Sequence, residues 1–191
     1  MKIVILDRDG VINEVSPERV KSVAELRLIP GSIEAVAKLS QAGFRVFLAS
    51  NQPGLGQGLF DYDAFCAMND RLQQLLAEFG GRVDGIAFAP DAPDAPTPMR
   101  KPAPGMILDI ARRLNVSAEL TPVVGDSWRD IAAARAAKAR PVLVRTGNGR
   151  VTETEHATEL RGVAIYDNLA AFASALISAQ HALPPVSQGF L

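Results

Sequence analysis

Six short apolar runs punctuate the chain, at 2–6, 44–49, 85–88, 122–124, 141–144 and, more weakly, 163–166. They are rich in β-branched residues, mostly apolar along their whole length and too short for helices, so they read as strands buried on both faces. Between them the hydrophobic period changes to three and four residues. GSIEAVAKLSQAG ends on Gly43; DYDAFCAMNDRLQQLLAEFGG begins with Asp61 as a plausible N-cap and stops at Gly80 and Gly81; PGMILDIARRLN opens with proline at a helix start. A last pattern, NLAAFASALISAQHAL, follows the weak strand, and 184–191 reads as a tail. This alternation predicts an α/β fold: a doubly wound, Rossmann-like, mostly parallel sheet with helices on both faces, in one domain over 1–183, with its ligand site outside the carboxyl ends of the strands. The stretch APDAPDAPTPMRKPAP, at 89–104, holds too many prolines for helix or central strand and is expected to be a loop on that same rim.

Composition narrows the partners. With 20 basic and 21 acidic residues the formal net charge is -1, which gives no broad attraction to nucleic acid or to an anionic membrane. The single cysteine, Cys66, excludes an intramolecular disulfide and any multi-cysteine metal site, and suits a reducing cytoplasm. The first apolar run is broken at Asp7, too early for a signal segment or a membrane span. A monomer acting on a small molecule is expected.

Polar groups collect after the strand-like runs: Asp7 and Asp9; Ser50, Asn51 and Gln52; Arg100 and Lys101; Asp126 and Asp130. In a parallel sheet these ends converge on one rim. Two carboxylates about 4 Å apart repel by roughly 1 to 4 kcal/mol, a cost that a divalent cation reverses. Asp126 completes an all-oxygen set suited to magnesium.

The strings DRDGVIN, SNQPG, RKPAPGM and GDSWRD, in this order, resemble the four motifs of the haloacid dehalogenase superfamily of aspartate-nucleophile phosphatases, over roughly 3–139. GLGQG followed by RKPAPGM, with no large cap domain inserted, is similar to the superfamily's branch of sugar-bisphosphate and histidinol-phosphate phosphatases. The resemblance implies Asp7 as nucleophile, forming an aspartyl-phosphate, and Asp9 as acid and then base in the two half-reactions. It implies Ser50 and Lys101 on the phosphoryl oxygens, and magnesium on Asp7, Asp126 and the main-chain carbonyl of Asp9. Arg100 offers a donor fork for a second anionic or hydroxylated part of the substrate, and Asn51 and Gln52 orient the phosphate loop or the sugar. The expected substrate is a small sugar bisphosphate, a heptose bisphosphate cleaved at C7 on the way to nucleotide-activated heptose for lipopolysaccharide. Histidinol phosphate is the alternative within this chemistry. A phospho-accepting receiver module is the alternative from another class, although its acidic pair and its phosphorylated aspartate normally sit on different strands.

Other residues carry blander readings. Asp130 either stands behind the metal ligands or is an early helical acid; Trp128, directly after the metal motif, either touches substrate or, the favoured reading, packs in the core or at the rim; Cys66 is a small core residue; His156 and His181 lie on the surface. Arg145 with TGNGR reads equally as an anion-binding loop or a turn. Gln57 and Ser127 stand where relatives often carry arginine and lysine. Relatives also often hold structural zinc in the loop before RKP, but 89–99 has no cysteine or histidine and five prolines fall between Pro90 and Pro102. Zinc is therefore expected to be absent, with proline stiffening in its place. Elemental analysis of the purified protein should find no zinc; one equivalent per chain would contradict this.

Overall fold

The computed structural model describes residues 1–181; the side chain of His181, the end of the expected domain and the expected tail at 184–191 lie outside the described residues. Six strands form one parallel sheet: β1 (Lys2–Leu6), β2 (Phe44–Asn51), β3 (Gly85–Ala89), β4 (Pro122–Gly125), β5 (Arg140–Val144) and β6 (Ala164–Tyr166), in the order β3-β2-β1-β4-β5-β6. The helices are α1 (Ser32–Gln41), α2 (Pro53–Gly56), α3 (Tyr62–Glu78), α4 (Gly105–Leu114), α5 (Trp128–Ala136), α6 (Gly149–Glu155) and α7 (Leu169–His181).

Strand alternation explains the layers. Val4 and Leu6 of β1 point into a core built with Ile33, Val36 and Leu39 of α1, Leu72 and Leu76 of α3, and Leu169 and Phe172 of α7. Ile3 and Ile5 point the other way, to Met106, Ile107 and Ile110 of α4 and the alanines of α5. Apolar residues at both alternations of β1 are thus required by helices on both faces. A smaller cluster of Val20, Phe60, Phe65 and Met68, with the Phe88 ring tilted against Phe65 at 4.5 Å, pins the segments before α1 and after β2 beside the strand ends. Among the described residues no segment builds a large cap over them.

Most expected helix boundaries hold. The Asp61 carboxylate accepts from the Ala64 N–H at 2.8 Å, and α3 ends before Gly80. The differences fall at edges. β2 runs on through Ser50 and Asn51, so these residues belong to the strand end, where β3 continues the ladder beside them. The glycine-rich stretch after SNQ contains the short α2, and the turn after Arg145 leads into α6. No helix among the described residues is long and apolar enough to cross a membrane.

The strand order places the site. From β1 the chain builds outward through β2 and β3, then crosses back to β4 and builds the other way, so the connections leaving β1 and β4 diverge and open a crevice between them. Receiver modules use the other doubly wound order, 2-1-3-4-5. Asp7 follows β1 and Asp126 follows β4, on either side of that crevice.

Candidate active site

The ladder between β1 and β4 extends one step past the strands, the Asp7 N–H donating to the Val124 carbonyl at 2.8 Å, which fixes the first aspartate at the crevice. Lys101 enters from the proline-rich loop and is 3 % exposed. Its Nζ donates to Asp7 Oδ2 at 2.9 Å and to Asp130 Oδ1 at 2.5 Å. The Asn51 side chain positions that lysine by gripping its backbone in both directions: Oδ1 accepts from the Lys101 N–H and Nδ2 donates to the Lys101 carbonyl, each at 2.9 Å. Asp130 sits in the first turn of α5, where Oδ2 accepts from the Ser127 N–H at 3.0 Å and from its hydroxyl at 2.6 Å, a capping-box arrangement.

Asp126 reaches its place through two glycines. Gly10 (φ +84°) and Gly147 (φ +56°) approach so closely that a Cβ on either would stand 2.1 or 2.3 Å from Asp126 Oδ2. That oxygen accepts from the Asn148 N–H at 2.8 Å and from its Nδ2 at 2.9 Å. Thr146 donates to the Gly10 carbonyl and Thr152 to the Asp126 carbonyl, tying the loop after β5 to both motifs.

Charge here is unbalanced. Asp7, Asp126 and Asp130 surround a single cation, Lys101. Burial would raise Asp130, but the charge and hydrogen bond of Lys101, with the two donors of Ser127, hold it below the usual carboxylate range. Burial would also lower Lys101, but the charges of Asp130 and Asp7 hold its pKa above the ordinary value. The lysine is thus committed, and the other two carboxylates bear the excess. Burial, followed by repulsion from Asp130 and Asp126, pushes Asp7 up to about 7 against the pull of Lys101. Burial, followed by repulsion from Asp130, pushes Asp126 up to about 6.

That donor set fits a hard divalent cation. One oxygen from each of Asp7, Asp126 and Asp130 lies within 4.8 Å of the others. Asp130 is the most committed, with three donors from Lys101 and Ser127, whereas Asp7 takes one donor on each oxygen, from Lys101 and the Arg8 N–H, and Asp126 Oδ1 takes none among the described residues; Asp7 and Asp126 are thus the better placed to ligate, and the excess of two negative charges matches one magnesium.

Beside this cluster Asp9 accepts from four side-chain nitrogens: Arg8 Nε and Nη2, Asn13 Nδ2 and Gln52 Nε2. Gln52 Nε2 also donates to Ser50 Oγ at 2.9 Å. The cavity above has a volume of about 80 Å³ and is lined by Asp7, Asp9, Asn51, Gln52, Lys101 and Asp126, with Arg19 and Arg129 at its sides. Arg100 does not line it. Its Nη1 donates to the Asp91 carbonyl at 2.8 Å and, with Thr97 on the Asp91 carboxylate at 3.0 Å, cross-ties the proline loop. Partial burial, then repulsion from Arg129 and Arg19, holds the Arg100 guanidinium below its ordinary pKa, so three arginines crowd one rim.

The structure thus brings together all the expected site residues except Arg100, which stands behind the rim, and it adds Arg8, Asn13, Arg19, Arg129, Thr146, Asn148 and Thr152. Trp128 is not among the residues lining the cavity; its ring stacks on His156 at 4.7 Å and carries the Arg135 guanidinium over it at 5.7 Å. That contact leaves His156 half-buried and not on the surface as expected. Cys66 is also only half-buried, at the edge of the core. Arg145 is consumed by Glu153, at 2.7 Å from both Nε and Nη2, and by Asp167 at 2.8 Å, so Arg145 is not free for an anion and the turn after it serves Asp126 through Asn148.

The HAD-hydrolase-like family model matches residues 98–172. The chain is 47% identical to the D-glycero-beta-D-manno-heptose-1,7-bisphosphate 7-phosphatase of Bordetella bronchiseptica, over 93% of this chain and 98% of that one. It is 46% identical to the protein of the same name from Pseudomonas aeruginosa, over 92% and 97%. The crystal structure of the B. bronchiseptica D,D-heptose 1,7-bisphosphate phosphatase, complexed with magnesium and phosphate, superposes with a TM-score of 0.91 at 46% identity, over 94% of this chain and 99% of that one.

The raised carboxylates set a pH dependence. Asp7 and Asp126 hold protons more tightly folded than unfolded, so their contribution to stability is fully present below the ordinary carboxylate value of 3.8 and is lost as pH rises through about 6 and about 7. Asp130 has the opposite sign, but its effect lies below that window. The melting temperature of the metal-free protein should therefore fall across the window, less so in Asp126→Asn, and magnesium should flatten the fall. Equal slopes in the metal-free wild type and variant would contradict this assignment.

Proposed function

The chain belongs to the heptose-bisphosphate phosphatases of the haloacid dehalogenase-like hydrolases, and from that premise we propose that it removes the C7 phosphate of D-glycero-β-D-manno-heptose 1,7-bisphosphate. The observation that carries the mechanism is the meeting of Asp7, Asp126 and Asp130 with Lys101 at the gap between β1 and β4, with two more carboxylates than cations.

Asp7 attacks the C7 phosphorus in line; the bond from phosphorus to the sugar oxygen breaks and an aspartyl-phosphate forms. Asp9 gives its proton to the departing sugar oxygen, then takes one from the water that opens the intermediate, releasing inorganic phosphate and regenerating Asp7. Magnesium, held by Asp7, Asp126 and the main-chain carbonyl of Asp9, supplies the charge that keeps the carboxylates ionised and neutralises the phosphoryl oxygens. Lys101 and Ser50 donate to those oxygens, with Lys101 already aimed by Asn51 and Asp130. Arg19 and Arg129 on the cavity wall, with Arg100 behind them, receive the C1 phosphate. Arg19 and Arg129, which form no ion pair among the described residues, gain by taking a dianion between them, with Arg100, already facing Asp91, behind them. The product would feed nucleotide-activated heptose and lipopolysaccharide core synthesis in the cytoplasm, with the protein acting as a monomer on a small molecule.

Phosphate release should be magnesium-dependent and fastest from a heptose 1,7-bisphosphate, the β anomer leading, with histidinol phosphate slower by orders of magnitude. Asp7→Asn should be inactive on all of them. Preferred cleavage of histidinol phosphate in the same assay would overturn the substrate while leaving the nucleophile standing.

A further inference from the structure

Arg8 lies between the two aspartates and is 3 % exposed. Its Nη2 donates to both oxygens of Asp9, at 3.1 and 3.2 Å, and to Gln52 Oε1 at 3.1 Å; its Nε reaches Asp9 Oδ1 at 3.3 Å. Gln52 Nε2 in turn donates to Asp9 Oδ2 and to Ser50 Oγ, both at 2.9 Å. These contacts form a closed ring, and the ring has a direction. A guanidinium carries only donors, so Gln52 can meet it only through its oxygen, which turns the amide NH2 toward Asp9 and Ser50. A serine oxygen that accepts from Gln52 keeps its own hydrogen for a third group, and a phosphoryl oxygen is an acceptor only.

A space-filling role explains less. Arg8 Nη1 is buried with no partner among the described residues, and an apolar side chain of similar volume would fill the same space without that unsatisfied donor. The fork on Asp9 and the forced orientation of Gln52 are what an apolar residue could not supply.

Resting on the phosphatase reading above, we propose that Arg8 is a positioning residue for phosphoryl transfer: it aims Asp9 at the leaving oxygen and orients Gln52 so that the Ser50 hydroxyl is left to donate to the phosphoryl group. The two consequences separate by leaving group. A sugar alkoxide needs a proton from Asp9 as it departs, whereas para-nitrophenolate does not. Only the Ser50 effect is common to both substrates.

The test compares kcat/KM for heptose 1,7-bisphosphate and for para-nitrophenyl phosphate in the wild type, Arg8→Met and Arg8→Lys, with Asp7→Asn as the blank and thermal melting to establish folding. Arg8→Met should lose about 100-fold or more on the sugar phosphate, the scale of a misplaced general acid. On the aryl phosphate it should lose about 10-fold or less, the scale of one neutral hydrogen bond. Arg8→Lys, which keeps the charge but not the fork, should fall between the two and show the same asymmetry, and it carries the test if Arg8→Met does not fold. Equal losses on the two substrates, or none, with an active wild type would overturn the role of Arg8 alone. A wild type that cleaves neither substrate would overturn the phosphatase reading and this inference with it.

Discussion

The crowding of three carboxylates about one lysine is the constraint around which the rest of this structure is arranged. Asp7, Asp126 and Asp130 come together because β1 and β4 are neighbours from which the chain departs in opposite directions. No local preference favours that meeting, since like charges in a low-dielectric crevice repel. The fold enforces it with close backbone packing: glycine at 10 and 147, where a methyl group would collide with Asp126, and a ladder bond that carries Asp7 one step beyond its strand. It then softens the cost selectively. Lys101 and Ser127 satisfy Asp130 and Asn148 satisfies one oxygen of Asp126, so the remaining negative charge faces the cavity where magnesium and a phosphoryl group arrive.

Two functions are kept physically separate within a few ångströms. On one side stand the carboxylate cluster and Lys101, the proposed seat of charge handling; on the other stand Arg8, Asp9, Gln52 and Ser50, to which the proposed mechanism gives the proton transfers. Asp9 faces Arg8, which matches its charge with a fork of donors, so the residue assigned the proton transfers stands apart from the crowded carboxylates. The cross-tied proline loop joins the two sides: it delivers Lys101 to the charge cluster and carries Arg100 to the arginine rim.

The layers and most of the site were legible because both follow from periodicity. Apolar residues on both alternations of residues 2–6 require helices on both faces, and a carboxylate directly after such a strand has to lie on the ligand rim. Arg8 was not legible for the same reason in reverse. Strand alternation points neighbours to opposite faces, but the chain turns at once, with the Arg8 carbonyl accepting from the N–H groups of Val11, Ile12 and Asn13, and this turn brings the arginine back to Asp9. Asn148 was hidden in a Gly-Asn-Gly turn whose purpose depends on a carboxylate 22 residues away in sequence. Arg19 sits at φ +70° on a segment anchored by the satellite cluster around Val20 and Phe60, so neither its conformation nor its place on the cavity wall has a local signature.

With two carboxylates in excess and Asp7 and Asp126 both raised, the metal-free site should hold a proton that magnesium displaces. Calorimetric titration of the metal-free protein with magnesium, repeated in buffers of different ionisation enthalpy, counts protons released per metal bound. Between the raised values of Asp126 and Asp7, about 6 and about 7, roughly one proton should leave with each magnesium, declining toward none well above that range. Magnesium binding that releases no proton at any pH would contradict the account.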